Sequence, residues 1–304
     1  MKIAFQGVPG AYSELAARQL FGTWARILPF ETFENVFEAV DKGRADRGVI
    51  PIENSLAGSI HQNYDLLLEH RLHIVGEAYL RVEHALLTLP ATRFADLREA
   101  RSHPQALAQC SRFFAEHRNI KPVVWFDTAG AARSIAEEKP QGVAALAGEY
   151  AGKLYGLKAL RKGIQNEENN FTRFLAIARG RNNQPVAAVT GKKSFKTSIV
   201  FGAKNQPGSL FHILGVFAAR NIDLNKIESR PNPASPFEYR FYLDLAGGTG
   251  NVNVKQALRE LEKLTVDLRI LGSYPCAKLA LASVQPPVVE PVETPAVTRP
   301  AKLR

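Results

Sequence analysis

The chain has 304 residues, enough for two domains, and its 45% hydrophobic and 22% charged residues are ordinary for a folded globular protein. Lys and Arg (39) exceed Asp and Glu (29), but they are dispersed rather than gathered on one helix face among aromatics, which argues against nucleic-acid binding. The sequence contains no apolar run near 18 residues and no signal-peptide pattern, so we expect a cytoplasmic protein without a membrane contact.

The first 70 residues alternate short apolar strands with helical patterns of about ten residues. Predicted strands lie at 2–6, 25–30 and 47–51, and predicted helices begin at Ser13 and cover 32–42 and 63–70. This alternation is typical of βαβ units and a mainly parallel sheet.

A second, similar unit follows an extended segment, 73–89, that we expect to cross from one lobe to another. Its predicted helices cover 102–117, 128–138 and 149–155, and its predicted strands cover 121–126 and 141–147. A strand at 171–178 is then positioned to return to the first lobe. Two α/β lobes joined by two crossings leave a cleft, which is a common place for a small-molecule site.

The pattern changes after a polar, Gly-containing segment. Strand, helix, strand, strand, helix and strand are predicted at 194–203, 209–220, 224–229, 237–245, 252–264 and 266–274, an order typical of a ferredoxin-like βαββαβ domain. We therefore assign 1–79 with 164–182 to lobe 1, 80–163 to lobe 2, 183–193 to a linker and 194–276 to a C-terminal domain. The Pro-rich remainder, 277–304, is predicted to be a disordered tail.

Four polar clusters are candidates for the chemistry of the cleft. Residues 7–13 form a glycine-bearing turn whose following helix start offers N–H groups to a carboxylate, or else an ordinary turn with Ser13 as N-cap. Residues 51–59 follow the carboxyl end of a strand, where α/β proteins bind ligands, although a turn with an N-cap is the plain alternative. Residues 102–110 place Gln105 and Gln109 on one helix face, and we expect His103 to be structural.

The fourth cluster is the strand start at 169–174. Thr172 and Arg173 are adjacent, so a regular strand directs them to opposite faces and only one of them faces a ligand unless the strand bends. The two cysteines, Cys110 and Cys276, are too few for a disulfide framework, and no CxxC or HExxH spacing predicts a metal site.

The segments GVPGAYSELAAR, VIPIENSLAGSI, SHPQALAQC and NNFTRFL resemble, in this order and spacing, the prephenate dehydratase family. Residues 194–276 are similar to an ACT domain, with PGSL and ESRP matching its phenylalanine-binding segments. The resemblance covers about residues 1–276. Because the first strand begins at the amino terminus, we expect the monofunctional form without a chorismate mutase segment.

The resemblance implies two lobes like those of type II periplasmic binding proteins, and conversion of prephenate to phenylpyruvate without a metal or organic cofactor. It implies that Thr172 is the essential threonine. The substrate-binding positions that we predict are Ser13, Asn54, Ser55, Ser102, Gln109, Asn170, Arg173 and Phe174, with Glu53 as a further catalytic candidate.

Loss of the ring carboxyl and hydroxyl makes an aromatic ring, so the enzyme need only help hydroxide leave, hold two carboxylates and exclude water. A threonine hydroxyl is too weak an acid to give up its proton near pH 7. We therefore expect Thr172 to donate a hydrogen bond to the leaving hydroxyl, an effect of roughly 3–4 kcal/mol, and to relay a proton from a neighbour. Glu53 is a candidate for that neighbour or for a helix-start acceptor, and Arg173 is a candidate for bidentate pairing with a carboxylate.

In the ACT-like domain the resemblance implies L-phenylalanine binding as an effector, with a coupling of about 1–3 kcal/mol to the cleft. The predicted effector residues are Pro207, Gly208, Ser209, Leu210, Glu228, Ser229 and Arg230. The same resemblance implies a homodimer or homotetramer assembled through these domains.

Two alternatives remain open at this stage. An arogenate dehydratase would run the same reaction on the aminated substrate with the same motifs. A non-catalytic solute receptor would use the same lobes, although the absence of a signal pattern and the presence of an ACT-like domain argue against it. A transcription factor with this ligand fold would need a helix-turn-helix, for which the amino terminus leaves no room.

Overall fold

A computed structural model describes residues 1–180, 184–186, 194–204, 206–232 and 238–279. The predicted linker and the predicted tail fall outside these ranges except for 184–186 and 277–279. Within them, no helix is both long and apolar enough to cross a membrane.

Residues 1–180 build two α/β lobes from eleven strands, seven α-helices and one 3₁₀ turn. The elements are β1 (Lys2–Gln6), α1 (Tyr12–Phe21), β2 (Arg26–Phe30), α2 (Phe33–Asp41), β3 (Arg47–Asn54), β4 (Gly58–Ser59), α3 (His61–Glu69), β5 (His73–Arg81), β6 (Ala85–Thr88), a 3₁₀ turn (Phe94–Asp96), β7 (Glu99–Ser102), α4 (Pro104–Gln109), α5 (Ser111–Glu116), β8 (Lys121–Val124), α6 (Thr128–Glu138), β9 (Val143–Ala147), α7 (Glu149–Leu154), β10 (Lys158–Lys162) and β11 (Phe171–Ala178).

The strands form two sheets, one in each lobe. In lobe 1 the order is β2-β1-β3-β11-β5, with β1 parallel to β2 and β3, and β11 antiparallel to both of its neighbours. In lobe 2 the order is β10-β6-β9-β7-β8. The chain leaves lobe 1 after β5 and returns before β11, which confirms the predicted two-lobed arrangement.

The structure adds three strands that the sequence patterns did not predict, of which β4 is a two-residue strand paired with β3. β7 was assigned to no element, and β10 is a short edge strand, KALRK, whose charged ends are exposed to solvent and hide its pairing with β6. The predicted helix at 102–117 is also two helices, because Cys110 leaves the helical conformation between α4 and α5.

The C-terminal domain has the predicted βαββαβ order. Its elements are β12 (Phe195–Ala203), α8 (Ser209–Ala218), β13 (Leu224–Pro231), β14 (Tyr239–Ala246), α9 (Val252–Leu264) and β15 (Thr265–Pro275), with the sheet order β13-β14-β12-β15. Helices α8 and α9 cover one face of this antiparallel sheet. The ferredoxin-like prediction is therefore confirmed.

The other face of the C-terminal sheet packs directly on lobe 1. Tyr242, Leu271 and Tyr274 share one hydrophobic core with Leu67 and Ile74 of lobe 1. The tyrosine rings of Tyr64 and Tyr242 lie 4.7 Å apart between their centroids, and the Tyr242 hydroxyl donates a hydrogen bond to the Tyr64 carbonyl (3.0 Å). The two units are thus joined by a continuous core and not only by the chain.

Gly272 marks the closest backbone approach across this interface. A Cβ atom at this position would lie 2.1 Å from the carbonyl oxygen of Ile74, a distance at which the two backbones must separate. We expect Gly272→Ala to lower the free energy of unfolding by about 1–3 kcal/mol, the usual cost of overpacking. Thermal and denaturant melts would measure it.

Gly250→Ala is the matched control, because a Cβ at Gly250 meets nothing within 4 Å. Equal melting curves for the two variants would contradict the close approach at Gly272.

Candidate active site

A cleft of about 490 Å³ lies between the two lobes. Lobe 1 contributes the start of α1, the turn between β3 and β4, and the start of β11. Lobe 2 contributes the starts of α4 and α6. The cleft therefore collects the ends of several elements, as the two-lobed topology predicts.

The polar side chains that line this cleft are almost all neutral hydrogen-bonding groups. Among the described lining residues there is no Lys or Arg, and Asp127 is the one carboxylate. Asp127 is itself occupied as the N-cap of α6, where its Oδ1 accepts from the N–H of Ala129 (2.8 Å). An anion in the cleft would be held by neutral donors and backbone N–H groups.

The start of α1 supplies such N–H groups. Its N-cap, Ala11, has no side chain that could satisfy them, and those of Tyr12 and Ser13 have no acceptor within the described residues. Ser13 lines the cleft beside them. Free N–H groups at a helix start attract a carboxylate through both hydrogen bonding and the helix dipole.

Asn54 and Thr172 face each other across the pairing of β3 with β11. The side-chain oxygen of Asn54 accepts from the backbone N–H groups of Leu56 (3.1 Å) and Ala57 (2.9 Å), which fixes the orientation of its amide. Its Nδ2 then donates to Thr172 Oγ1 (3.0 Å). Because Thr172 accepts this bond, and its hydroxyl has no acceptor within the described residues, its proton is available to a ligand in the cleft.

The same amide starts a chain of contacts that joins the lobes. Asn54 Nδ2 lies 2.7 Å from Asn170 Oδ1, and Asn170 Nδ2 donates to Gln109 Oε1 of lobe 2 (3.1 Å). Gln109 Oε1 also lies 3.0 Å from Nε2 of His84, in the crossing between β5 and β6. Burial lowers the pKa of His84, and the hydrogen bond with Gln109 offsets this only in part, so the ring is neutral at pH 7.

Five of the predicted site residues line the cleft: Ser13, Asn54, Gln109, Thr172 and Phe174. Three others support its walls without lining it. Ser102 is fully buried and donates to the carbonyl of Leu146 (2.6 Å), Ser55 Oγ accepts from the N–H of Phe171 (2.9 Å), and Asn170 lies behind the cleft between Asn54 and Gln109.

The structure corrects the prediction that Arg173 pairs with a substrate carboxylate. The Arg173 side chain is 6% exposed and points away from the cleft into the C-terminal domain. It contacts Glu77 Oε2 (2.9 Å), Asp244 Oδ2 (2.5 Å) and the hydroxyl of Tyr274 (3.0 Å). The cause is strand alternation, because Thr172 takes the cleft face.

The prediction that Glu53 supplies a proton in the cleft is wrong for the same reason, because its side chain lies on the face of the sheet opposite the cleft. It is the register partner of Arg173, and its Oε1 accepts from Lys226 Nζ of the C-terminal domain (2.9 Å). Glu53 therefore belongs to the contact between domains and not to the proton supply of the cleft.

Several cleft residues lie outside the four predicted clusters, among them Phe33, His84, Phe126 and Asp127. Asp127 had a signal that would have found it, since it follows β8 and precedes a helix, the position where α/β sheets bind ligands. His84 had none, because it lies in an extended crossing whose neighbours come from distant parts of the chain.

The predicted effector residues lie in two segments. Pro207 and Gly208 are exposed at the start of α8, where Ser209 and Leu210 follow, and Ser229 is exposed on β13. Glu228 and Arg230 instead bind lobe 1: Glu228 Oε2 accepts from Ser59 Oγ (2.7 Å), and Arg230 pairs with Asp65 (2.8 Å). Phenylalanine binding by these segments stays a prediction.

Comparison with known proteins agrees with the two parts of the fold. The family profile described as prephenate dehydratase matches residues 3–182, and the profile described as ACT domain matches residues 197–263. An arogenate dehydratase/prephenate dehydratase of Arabidopsis thaliana is 47% identical over 284 residues, which span 90% of this chain and 73% of that protein.

Two solved structures are similar over nearly the whole chain. A prephenate dehydratase from Arthrobacter aurescens in complex with L-Phe has a TM-score of 0.79 at 30% identity, covering 95% of this chain and 93% of that one. A protein described as GqqA, a quorum quenching acylase, has a TM-score of 0.81 at 38% identity, covering 91% and 98%.

The buried charges around Arg173 generate a stability prediction. Asp244→Asn leaves the Arg173 guanidinium, which is almost fully buried, without one of its two close carboxylates. Removing one partner of a buried pair typically costs about 3–5 kcal/mol, so we expect a clear fall in the melting temperature.

Asp96→Asn is the control, because its pair with Arg93 (3.0 Å) lies at the surface. A melting temperature of Asp244→Asn that equals that of the control would show that the buried cluster does not hold the domains together.

Proposed function

This chain belongs to the prephenate dehydratase family of lyases, and we propose that it converts prephenate to phenylpyruvate in phenylalanine biosynthesis. The observation that carries the proposal is the orientation of Thr172. Its hydroxyl accepts from Asn54 and keeps its own proton for a group in the cleft. Dehydration needs such a donor at the departing hydroxyl.

The reaction breaks two bonds of the substrate ring. The electron pair of the bond to the ring carboxyl moves into the ring as carbon dioxide leaves. The bond to the ring hydroxyl breaks, and the departing hydroxide takes up one proton from the solvent to become water. Thr172 stabilises the charge that grows on that oxygen by donating a hydrogen bond. No redox change occurs.

The neutral lining of the cleft supports this chemistry. A Lys or Arg beside the ring carboxylate would stabilise a charge that must disappear when carbon dioxide forms, so it would favour the ground state over the transition state. Neutral donors bind the substrate with a smaller penalty of this kind. The cations nearest in sequence to the motif, such as Arg173, are instead turned into the domain interface.

An acyl-transfer activity, as in the name of the protein GqqA, has less support here. Burial raises the pKa of Cys110 to about 12, which keeps it a thiol at neutral pH. Within the described ranges, no serine hydroxyl is hydrogen-bonded to a histidine that would activate it.

Arogenate is the second candidate substrate, because the Arabidopsis thaliana relative is named for both activities. The two substrates differ in the side chain, which carries a keto group in prephenate and an ammonium in arogenate. Both lose the same ring groups, so Thr172 has the same role with either one.

We also propose that L-phenylalanine regulates the cleft through the ACT domain. Strand β13, which carries the predicted effector residues Glu228 and Arg230, directs Lys226 and Glu228 to Ser59 Oγ at 3.0 and 2.7 Å. Ser59 lines the cleft. A ligand that shifts β13 would therefore act on the cleft wall through direct hydrogen bonds.

Two further proposals rest on the sequence grounds given above. We propose that the protein works in the cytoplasm and assembles as a homodimer or homotetramer through its ACT domains.

Turnover of the wild-type protein and two variants tests the role of Thr172. Thr172→Val keeps the shape of the side chain but removes the hydroxyl, so we expect kcat to fall by about 10²–10³-fold, the typical effect of losing one such donor. Thr172→Ser keeps the hydroxyl and should retain most of the activity. Phenylpyruvate absorbance follows prephenate turnover, and amino-acid analysis follows arogenate turnover.

If the wild-type protein converts arogenate but not prephenate, arogenate is the substrate and the proposed role of Thr172 is unchanged. Undiminished turnover by a folded Thr172→Val variant would remove Thr172 from the mechanism, and folded wild-type protein that turns over neither compound would remove the proposed function.

A second experiment tests the route from the ACT domain. Lys226→Met removes the contacts of Lys226 with Glu53 and Ser59, so we expect phenylalanine still to bind but to change turnover about fivefold less, given usual couplings of about 1–3 kcal/mol. Calorimetry would measure binding, and turnover with and without phenylalanine would measure coupling. Lys255→Met, at an exposed site on α9, is the matched control; an equal response in both variants would argue against this route.

A further inference from the structure

His84 lies where the two chain crossings between the lobes meet. Its backbone N–H donates to Gln165 Oε1 (2.9 Å), and its carbonyl accepts from the N–H of Ile164 (3.2 Å), so the outgoing and returning chains are bonded here. The residue is 2% exposed, and its side chain is among those that line the cleft.

The orientation of the polar chain that reaches His84 follows from two backbone groups. The N–H groups of Leu56 and Ala57 can only donate, so the side-chain atom of Asn54 that they contact is its oxygen. Asn54 therefore turns its NH₂ group to Asn170, and the atom of Asn170 at 2.7 Å must be its oxygen.

The same logic continues across the lobes. Asn170 turns its NH₂ group to Gln109, so the atom of Gln109 at 3.1 Å is its oxygen. That oxygen can only accept, so the Nε2 atom of His84 at 3.0 Å carries the hydrogen. The Gln109 NH₂ group has no acceptor within the described residues, and Gln109 lines the cleft.

We propose that His84 is a positioning residue that, with Asn170, holds the carboxamide oxygen of Gln109 away from the cleft and so presents its NH₂ group to the substrate. The substrate oxygens of a carboxylate or hydroxyl are the partners that such a donor fits. The identity of the substrate in this inference rests on the proposed function. The assignment of donors and acceptors from Asn54 to His84 does not depend on it.

Two donors to one amide oxygen define the orientation more sharply than one. If the His84 donor is lost, Asn170 alone restrains Gln109, and the amide can rotate to place its oxygen in the cleft, where it repels the oxygens of an anionic substrate. Protonation of His84 would leave the Nε2–H bond in place. The ring's other nitrogen, Nδ1, has no partner in the described part of the chain, so the contact with Gln109 is the ring's one hydrogen bond there.

Paired variants at His84 test the positioning role. His84→Gln retains an N–H donor that can reach Gln109, and we expect kcat/KM within about threefold of wild type. His84→Leu fills similar space without a donor, and we expect a loss of roughly tenfold that appears mainly in KM, the size of one hydrogen bond. Melting temperatures of both variants show whether they fold.

Two folded variants with equal losses, or a folded His84→Leu variant with wild-type kinetics, would overturn the proposal. If His84→Leu does not fold, the His84→Gln variant and the tautomer measurement below still decide the question.

The tautomer can be measured without any turnover. In the full chain with ¹⁵N-labelled histidine, nitrogen shifts should show His84 with its hydrogen on Nε2 at pH 7, and a hydrogen on Nδ1 alone would overturn the polarity. Wild-type protein with this tautomer but no turnover of prephenate or arogenate would separate the two conclusions: the network would stand and the proposed function would fail.

Discussion

Adjacent side chains of a β-strand point to opposite faces, and in β11 this alternation places Thr172 in the cleft and Arg173 against the C-terminal domain. The strand is held on both sides, by β3 and β5. A slip of one residue would exchange the two faces and lose both sites at once. The register of β11 is thus the constraint on which the chemistry and the domain contact both depend.

The buried charged side chains lie on the domain-contact face of the lobe 1 sheet, and the cleft face is lined mainly by uncharged residues. The buried cluster between the domains balances Arg173 and Lys196 against Glu77 and Asp244, with short contacts among them. Such a cluster is costly to desolvate, and removing one partner of a buried pair typically leaves an uncompensated charge, which favours a single geometry of the contact. The cleft on the opposite face has neutral donors, which suit a reaction in which a carboxylate disappears.

The neutral donors have defined directions because backbone groups determine them. Two N–H groups after β3 orient Asn54, and each following amide can satisfy its neighbour in only one way. The result is a row of side chains from Thr172 to His84 that crosses from lobe 1 to lobe 2. The direction of the cleft donors therefore depends on contacts made by both lobes, and β13 of the ACT domain contacts Ser59 of the cleft wall.

The local sequence pattern determined the bounds of many helices and strands and the positions of several cleft residues. Helices at Thr128–Glu138 and Val252–Leu264 and the strand Phe171–Ala178 have the predicted bounds, because periodicity and caps are local signals. Motif position likewise predicted Asn54, Gln109 and Thr172 in the cleft. The directions of Glu53 and Arg173 depended on the domain that covers the outer face of the lobe 1 sheet, and the role of His84 depended on partners that meet only when both crossings fold. The alternation of side chains along a strand follows from the sequence alone. Which face of the strand lines the cleft and which forms the domain interface depends on the elements that pack on each face in the tertiary structure.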